Sequence, residues 1–181
     1  MQNQIIVNQW QAAAKTGFFI GLGLIAYSAL MYVLGLDQQG AANYISYLIL
    51  IGGLAYGIIQ FRDKLNGGVI SYGKAVGYGV QLAFFSGIIL SFYLLLFFSF
   101  IDKDFIANML VKIEETYYDA GMEEEQIEVA MSMMYKIYTP YTLSVFSVLG
   151  NVLMGLIFSL ILSIFLKKEG NADSSFERDL A

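Results

Sequence analysis

The sequence predicts an all-α fold: an integral membrane four-helix bundle with an extracytoplasmic amphipathic helical hairpin between its third and fourth spans. Three observations predict it. Apolar residues make up 57% of the chain and charged residues 14%, against about 45–50% and about 25% in an ordinary soluble domain. The excess sits in four long uncharged blocks, the pattern of a chain solvated by lipid. The polar stretches between the blocks carry unequal charge, basic in some and acidic in one. The whole chain, residues 1–181, reads as a single membrane domain.

The first span is residues 16–36, TGFFIGLGLIAYSALMYVLGL, bounded by Lys15 and Asp37. Its 21 residues meet the requirement of about 20 for a helix that crosses a bilayer. The run is longer than the roughly 7–15 apolar residues of a signal peptide, so a retained anchor is expected. The second span is residues 44–61, with Asn43 as a suitable N-cap and Arg62 closing it. The third, residues 75–101, is the most hydrophobic and stops at Asp102. The fourth, residues 141–166, follows Thr139 and Pro140, a capping residue and a first-turn proline, and ends at Lys167 and Lys168. A tail, residues 167–181, completes the chain. Buried helices of a soluble core rarely run this long without a charge, and four of them here would leave no polar sequence to cover them.

Residues 102–140 form the hairpin. Phe105, Met109, Ile113 and Tyr117 recur every four residues, with Ile106 and Leu110 beside them, which is one face of a helix. Asp104 suits its N-cap and Gly121 the position past its end. Ile127, Met131, Met134 and Tyr138 repeat the pattern. The first arm is expected to extend the third span and the second to lead into the fourth; the alternative is a pair lying on the membrane surface, although interfacial helices are usually basic. Glu123, Glu124 and Glu125 fall in the second arm's first turn, where the helix dipole favours acids. This acidic run reads as a solvated face, since it lacks the spacing of a calcium loop.

Basic residues mark the cytoplasmic side. The second loop has Arg62, Lys64 and Lys74 against Asp63, and the last span ends on Lys167 and Lys168. Lys15 flanks the first span, and the first loop has no basic residue. The segment 102–140 has three lysines against nine acids. Both termini are therefore expected on the cytoplasmic side and the acidic hairpin on the opposite side.

Gly68 to Lys74 spells G-x-x-x-x-G-K, the skeleton of a phosphate-binding loop. A working loop continues with Ser or Thr to hold magnesium and lies between a strand and a helix; here Ala75 follows and no strand precedes. The stretch reads as a topogenic turn, with Asn66, Gly67 and Gly68 tolerant of positive φ and Ser71 as an N-cap. No nucleotide or nucleic acid is expected to bind.

Small residues mark the packing faces. Ala75, Gly79, Ala83, Gly87 and Ser91 recur every four residues on the third span. Ser147, Asn151, Gly155, Ser159 and Ser163 do the same on the fourth. Such stripes let helix backbones approach in lipid, where packing drives association. Gly17 and Gly21 on the first span, and Gly53 and Gly57 on the second, extend the pattern. Counting about 1.5 Å per residue from membrane edges at Ala75 and Leu166 sets Gly87 opposite Gly155 and Ser91 opposite Asn151. No ionisable residue falls inside an apolar block, which argues against ion-coupled transport.

The run FRD at 61–63, GG at 67–68, VISYGKA at 69–75 and Gly79 resembles the central motif of a bacterial membrane family known only as a domain of unknown function, number 4199. The four-span layout and the acidic segment before the last span fit it too. The resemblance implies an inner-membrane protein with no established activity and no catalytic residues to carry over. The chain has no Cys and no His, so thiolate chemistry and imidazole bases or ligands are excluded. No enzyme, cofactor or metal is expected. The expected function is a structural or accessory membrane component, with the bilayer as its solvent and a protein partner at the acidic hairpin. The alternative is a small transporter or channel built as a homo-oligomer.

Overall fold

The computed structural model describes residues 8–36 and 41–168. The tail beyond Lys168 and the boundary residue Asp37 lie outside them. Six α-helices account for nearly all of the described residues: α1 (Gln9–Val33), α2 (Ala41–Gln60), α3 (Tyr72–Leu96), α4 (Phe105–Asp119), α5 (Glu124–Ile137) and α6 (Pro140–Leu166). Single π-helical turns, Phe61–Leu65 and Phe97–Ile101, prolong α2 and α3. There is no strand among the described residues, only one antiparallel backbone bridge between Ile70 and Lys168.

Four of these helices are long and apolar enough to cross a membrane. Their most apolar windows are only 28%, 28%, 17% and 17% buried in chain order. Most of their large side chains therefore point away from the protein, Phe19, Phe92, Leu153 and Phe165 among them. In water so much exposed apolar surface would drive association; in lipid it is the solvated face.

The core runs along the middle of the four-helix unit. Leu54, Ile58, Tyr78 and Leu82 are buried there, together with Ala13 and Ala83. The contact of α3 with α6 is the most extensive, that of α1 with α3 the next, and α2 touches its three neighbours more sparsely. A Cβ at Gly17 would lie 2.7 Å from the Cβ of Phe85, and one at Gly21 would lie 2.8 Å from that of Ile89. The two numbers rise together, so α1 and α3 run parallel with their backbones nearly touching. On the other side of α1, Gly53 faces Ile20 and Gly57 faces Thr16, which sets α2 antiparallel to α1.

Helix α1 begins at Gln9, seven residues before the apolar block expected as the first span. The Asn8 side chain accepts from the Trp10 N–H at 3.2 Å and caps it. Helix α2 begins at Ala41, so Asn43 lies inside its first turn instead of capping it. Thr139 caps α6 as expected, accepting from the Thr142 N–H at 3.1 Å, with Pro140 in the first turn.

The hairpin, α4 and α5, has a core of its own. Ile106, Leu110, Ile127 and Met131 are buried together and rest on Phe98 and Leu143, near the adjoining ends of α3 and α6. The first arm does not continue α3. Asp102, at φ −130° and ψ 83°, breaks the helix before α4 starts. Asp104 precedes α4 but makes no capping bond, because its backbone is already helical at φ −89°, ψ −8°, whereas a capping residue is extended. The turn is closed by Gly121 at φ 75°. The Gly121 N–H reaches the Tyr118 carbonyl at 3.0 Å and the Met122 N–H reaches that of Tyr117 at 3.2 Å, the paired bonds of a Schellman ending.

That ending needs a left-handed residue, which costs a side-chain-bearing residue about 1–2 kcal/mol. Gly121→Val is expected to destabilise the hairpin by that amount. Hydrogen exchange should speed up in α4 and α5 and stay unchanged in α3; unaltered exchange in the hairpin would contradict the assignment.

Candidate functional site

The small residues meet along one seam between α3 and α6. A Cβ at Gly79 would lie 2.1 Å from Ser159 Oγ, one at Gly155 would lie 2.1 Å from Ala83 Cβ, and one at Gly87 would lie 3.2 Å from Asn151 Cβ. As one partner number rises by four the other falls by four, so the helices are antiparallel. Asn151 crosses the seam: its amide nitrogen donates to the Ala83 carbonyl at 2.6 Å and to Ser86 Oγ at 2.9 Å. Ser159 and Ser163 are fully buried, and their hydroxyls have no hydrogen-bond partner among the described residues.

The pairing differs by one helical turn from that expected by counting depth. Gly87 faces Asn151 instead of Gly155, and Asn151 bonds residues at 83 and 86 instead of Ser91. Ser91 instead lines a small cavity with Ser144 and Tyr141. The reason lies at the end of the helices. Ile70 and Lys168 exchange backbone bonds of 2.8 and 3.0 Å. That bridge lies beyond both apolar blocks and fixes the register that the seam then follows.

The basic residues expected to set topology gather at this same end. Arg62 forms a two-pronged pair with Asp63, at 2.6 and 3.0 Å. Its Nη1 also donates to the Leu166 carbonyl at 3.0 Å, the negative end of α6. Lys74 bonds Asn66 Oδ1 and stands 5.5 Å from the Phe61 ring centre. Ser71 precedes α3 without making a capping bond. Gly67 and Gly68 take φ of 67° and 83°. The G-x-x-x-x-G-K stretch is thus a turn whose lysine is engaged by its own loop. Lys64, Lys167 and Lys168 are exposed at the same end.

Sequence reasoning missed a cleft of about 690 Å³ between α1 and α2, which begins near this end. Thr16, Tyr56, Gln60 and the two lysines Lys15 and Lys64 line one part; Phe19, Ile20, Gly23, Ile49 and Gly53 line the other. Among the described residues no carboxylate lines it. Lys15 was expected at the membrane edge, as the flank of the first span. The glycine contacts place it elsewhere. Gly17 is level with Phe85, so Lys15 is level with Ala83, about 16 Å along α3 from Tyr72. The sequence hid this because a lysine before an apolar run looks like a boundary, and only the α1–α3 register shows that it is recessed.

The family model described as "Protein of unknown function (DUF4199)" matches residues 15–168. No curated protein and no solved structure matches the chain.

The seam admits no further atom at Gly155, whereas a Cβ at Gly150 on the same helix would meet nothing within 4 Å. Gly155→Ala is therefore expected to destabilise the protein by about 1–3 kcal/mol through overpacking, and Gly150→Ala to be neutral or better. Asn151→Ala should be mild, about 0.6 kcal/mol and at most about 1.7. Thermal unfolding in detergent orders the three. The chain has no cysteine of its own, so register is directly testable. Gly87→Cys with Asn151→Cys should oxidise within one chain, since Cβ atoms of a disulfide lie about 3.5–4.5 Å apart. Gly87→Cys with Gly155→Cys should not; the opposite outcome would restore the depth-counted register.

Proposed function

The chain belongs to the DUF4199 family, and on that premise we propose that it is an accessory component of the bacterial inner membrane which presents its acidic hairpin to a protein partner. The orientation has both termini in the cytoplasm, with Arg62, Lys64, Lys74, Lys167 and Lys168 at the cytoplasmic face and the hairpin outside. Support comes from one observation above all: the hairpin packs a private core of Ile106, Leu110, Ile127 and Met131. An element with its own core and its own helix stop is a preformed surface. Glu115, Glu124, Glu125 and Glu128 are exposed on it, interleaved with exposed Tyr118, Met133 and Tyr135. Exposed acids beside exposed aromatics suit a partner with a basic, partly apolar face. The protein carries out no catalysis in this reading.

A second reading, a small oligomeric transporter, gains from Lys15, because an ionisable residue recessed among apolar spans is a functional marker in membrane proteins. Flux in proteoliposomes separates the two.

Single cysteines at Ser132, in the hairpin, and at Val69, at the basic end, test the orientation. The first should react with an impermeant maleimide in intact cells and the second only after lysis; the reverse would invert the topology. A photocrosslinking residue at Tyr135 should trap one recurrent protein partner. Trapping lipid alone would remove the accessory reading.

A further inference from the structure

The cleft between α1 and α2 combines features that neither the seam nor the hairpin explains. It is polar and cationic in one part and apolar in the other. Its floor is formed where Gly53 approaches Ile20. Its apolar end closes where a Cβ at Gly23 would lie 3.7 Å from Ile49 Cγ2. From Ala12, level with the polar end, to Gly23 the cleft follows α1 for about 16 Å, close to half of a bilayer's roughly 30 Å hydrocarbon thickness. Its volume of about 690 Å³ lies within the roughly 300–1,000 Å³ of small-molecule sites.

Both lysines line the cleft. Helix side chains lean toward the N-terminus of their own helix, and α1 and α2 are antiparallel. Lys15 therefore leans toward the basic end, and Lys64, in the π-helical turn that prolongs α2, leans the opposite way, toward the spans. Among the described residues no acid lines the cleft. Asp63, beside Lys64 in the chain, is held by Arg62 at 2.6 Å. Among the described residues neither Lys15 nor Lys64 has an ion-pair partner. Two cations facing one cleft, with no counter-charge among the described residues, call for an anion.

From this we infer that the cleft is a binding site for a long-chain fatty acid, with its carboxylate between Lys15 and Lys64 and its chain along Phe19, Ile20 and Gly23. The occupant is set by charge, shape and depth. The cations require a negative head. The apolar part requires a chain. Lys15 is recessed along α3, so the head must be small enough to sink between two helices, which a carboxylate is and a glycerophosphate headgroup is not. The site is independent of which way the protein faces.

Binding of labelled palmitate to the full chain in non-ionic detergent tests this, with hexadecanol and acetate as probes lacking the charge and the chain. Palmitate should saturate at one per chain, with hexadecanol and acetate at least ten-fold weaker. Loss of one charged hydrogen bond weakens binding roughly ten-fold or more. Lys64→Gln and Lys15→Gln should each show that loss, while Lys103→Gln with Lys136→Gln should not. Gly23→Phe, which fills the apolar end without altering charge, should also weaken palmitate. If Lys15→Gln fails to fold, Lys64→Gln and Gly23→Phe carry the same requirement. Hexadecanol binding as tightly as palmitate would overturn the proposal, as would wild-type affinity in Lys64→Gln. Full displacement of palmitate by stoichiometric phosphatidylglycerol would assign the cleft to a phospholipid instead and equally overturn it.

Discussion

The close approach of α3 and α6 is the constraint on which the rest of the structure depends. In lipid there is no hydrophobic drive to bring two apolar helices together, so dispersion and shape must do it. Both fall off steeply with a gap of even half an ångström. Gly79 against Ser159 and Gly155 against Ala83 remove that gap by removing a side chain. Asn151 then adds two directional bonds to a seam that is otherwise slippery along its length. The bridge of Ile70 with Lys168 and the bond from Arg62 to Leu166 lock the same register from outside the spans. Backbone pairing there and glycine contacts within agree on one alignment.

The α1–α3 contact repeats this device with a different consequence. Gly17 and Gly21 bring α1 so close to α3 that its register is fixed too. That register draws Lys15 inward, beside Thr16 and Tyr78 at the cleft. Helix α2 closes on α1 through Gly53 and Gly57 but is held less widely by its neighbours. A tight pair beside a looser third helix leaves a groove, and the groove inherits the lysine. The site thus follows from unequal packing.

The hairpin is stabilised differently because its solvent is different. Its arms alternate apolar and charged faces, so burial of Ile106, Leu110, Ile127 and Met131 drives their pairing. Local chemistry sets where it turns, through the left-handed Gly121 and the dipole-favoured Glu124 and Glu125. Phe98 and Leu143 join this core to the ends of α3 and α6, so the hairpin is tied to the spans by packing and not by a continuous helix.

By itself the sequence determined the class of fold and part of its punctuation; Thr139 caps as expected, whereas Asn43, Ser71 and Asp104 do not. A membrane helix must be long and apolar because its backbone finds no water, and that demand is written residue by residue in the four blocks. Thr139 with Pro140, and Gly121, act within a few residues of themselves and were equally legible. The small residues at four-residue spacing mark which faces approach closely, since a face is a property of one helix. Register between helices is not such a property. Gly87 could meet Gly155 or Asn151 with equal propriety as far as either strand of sequence says, and a bridge between Ile70 and Lys168, far apart in the chain, decided it. The same holds for Lys15. Next to an apolar run it looks like a boundary, and only the depth at which α1 is gripped by α3 makes it part of a cleft. Periodicity and capping are local and survive in the sequence; alignment between elements arises from contacts across the chain and exists only once they form.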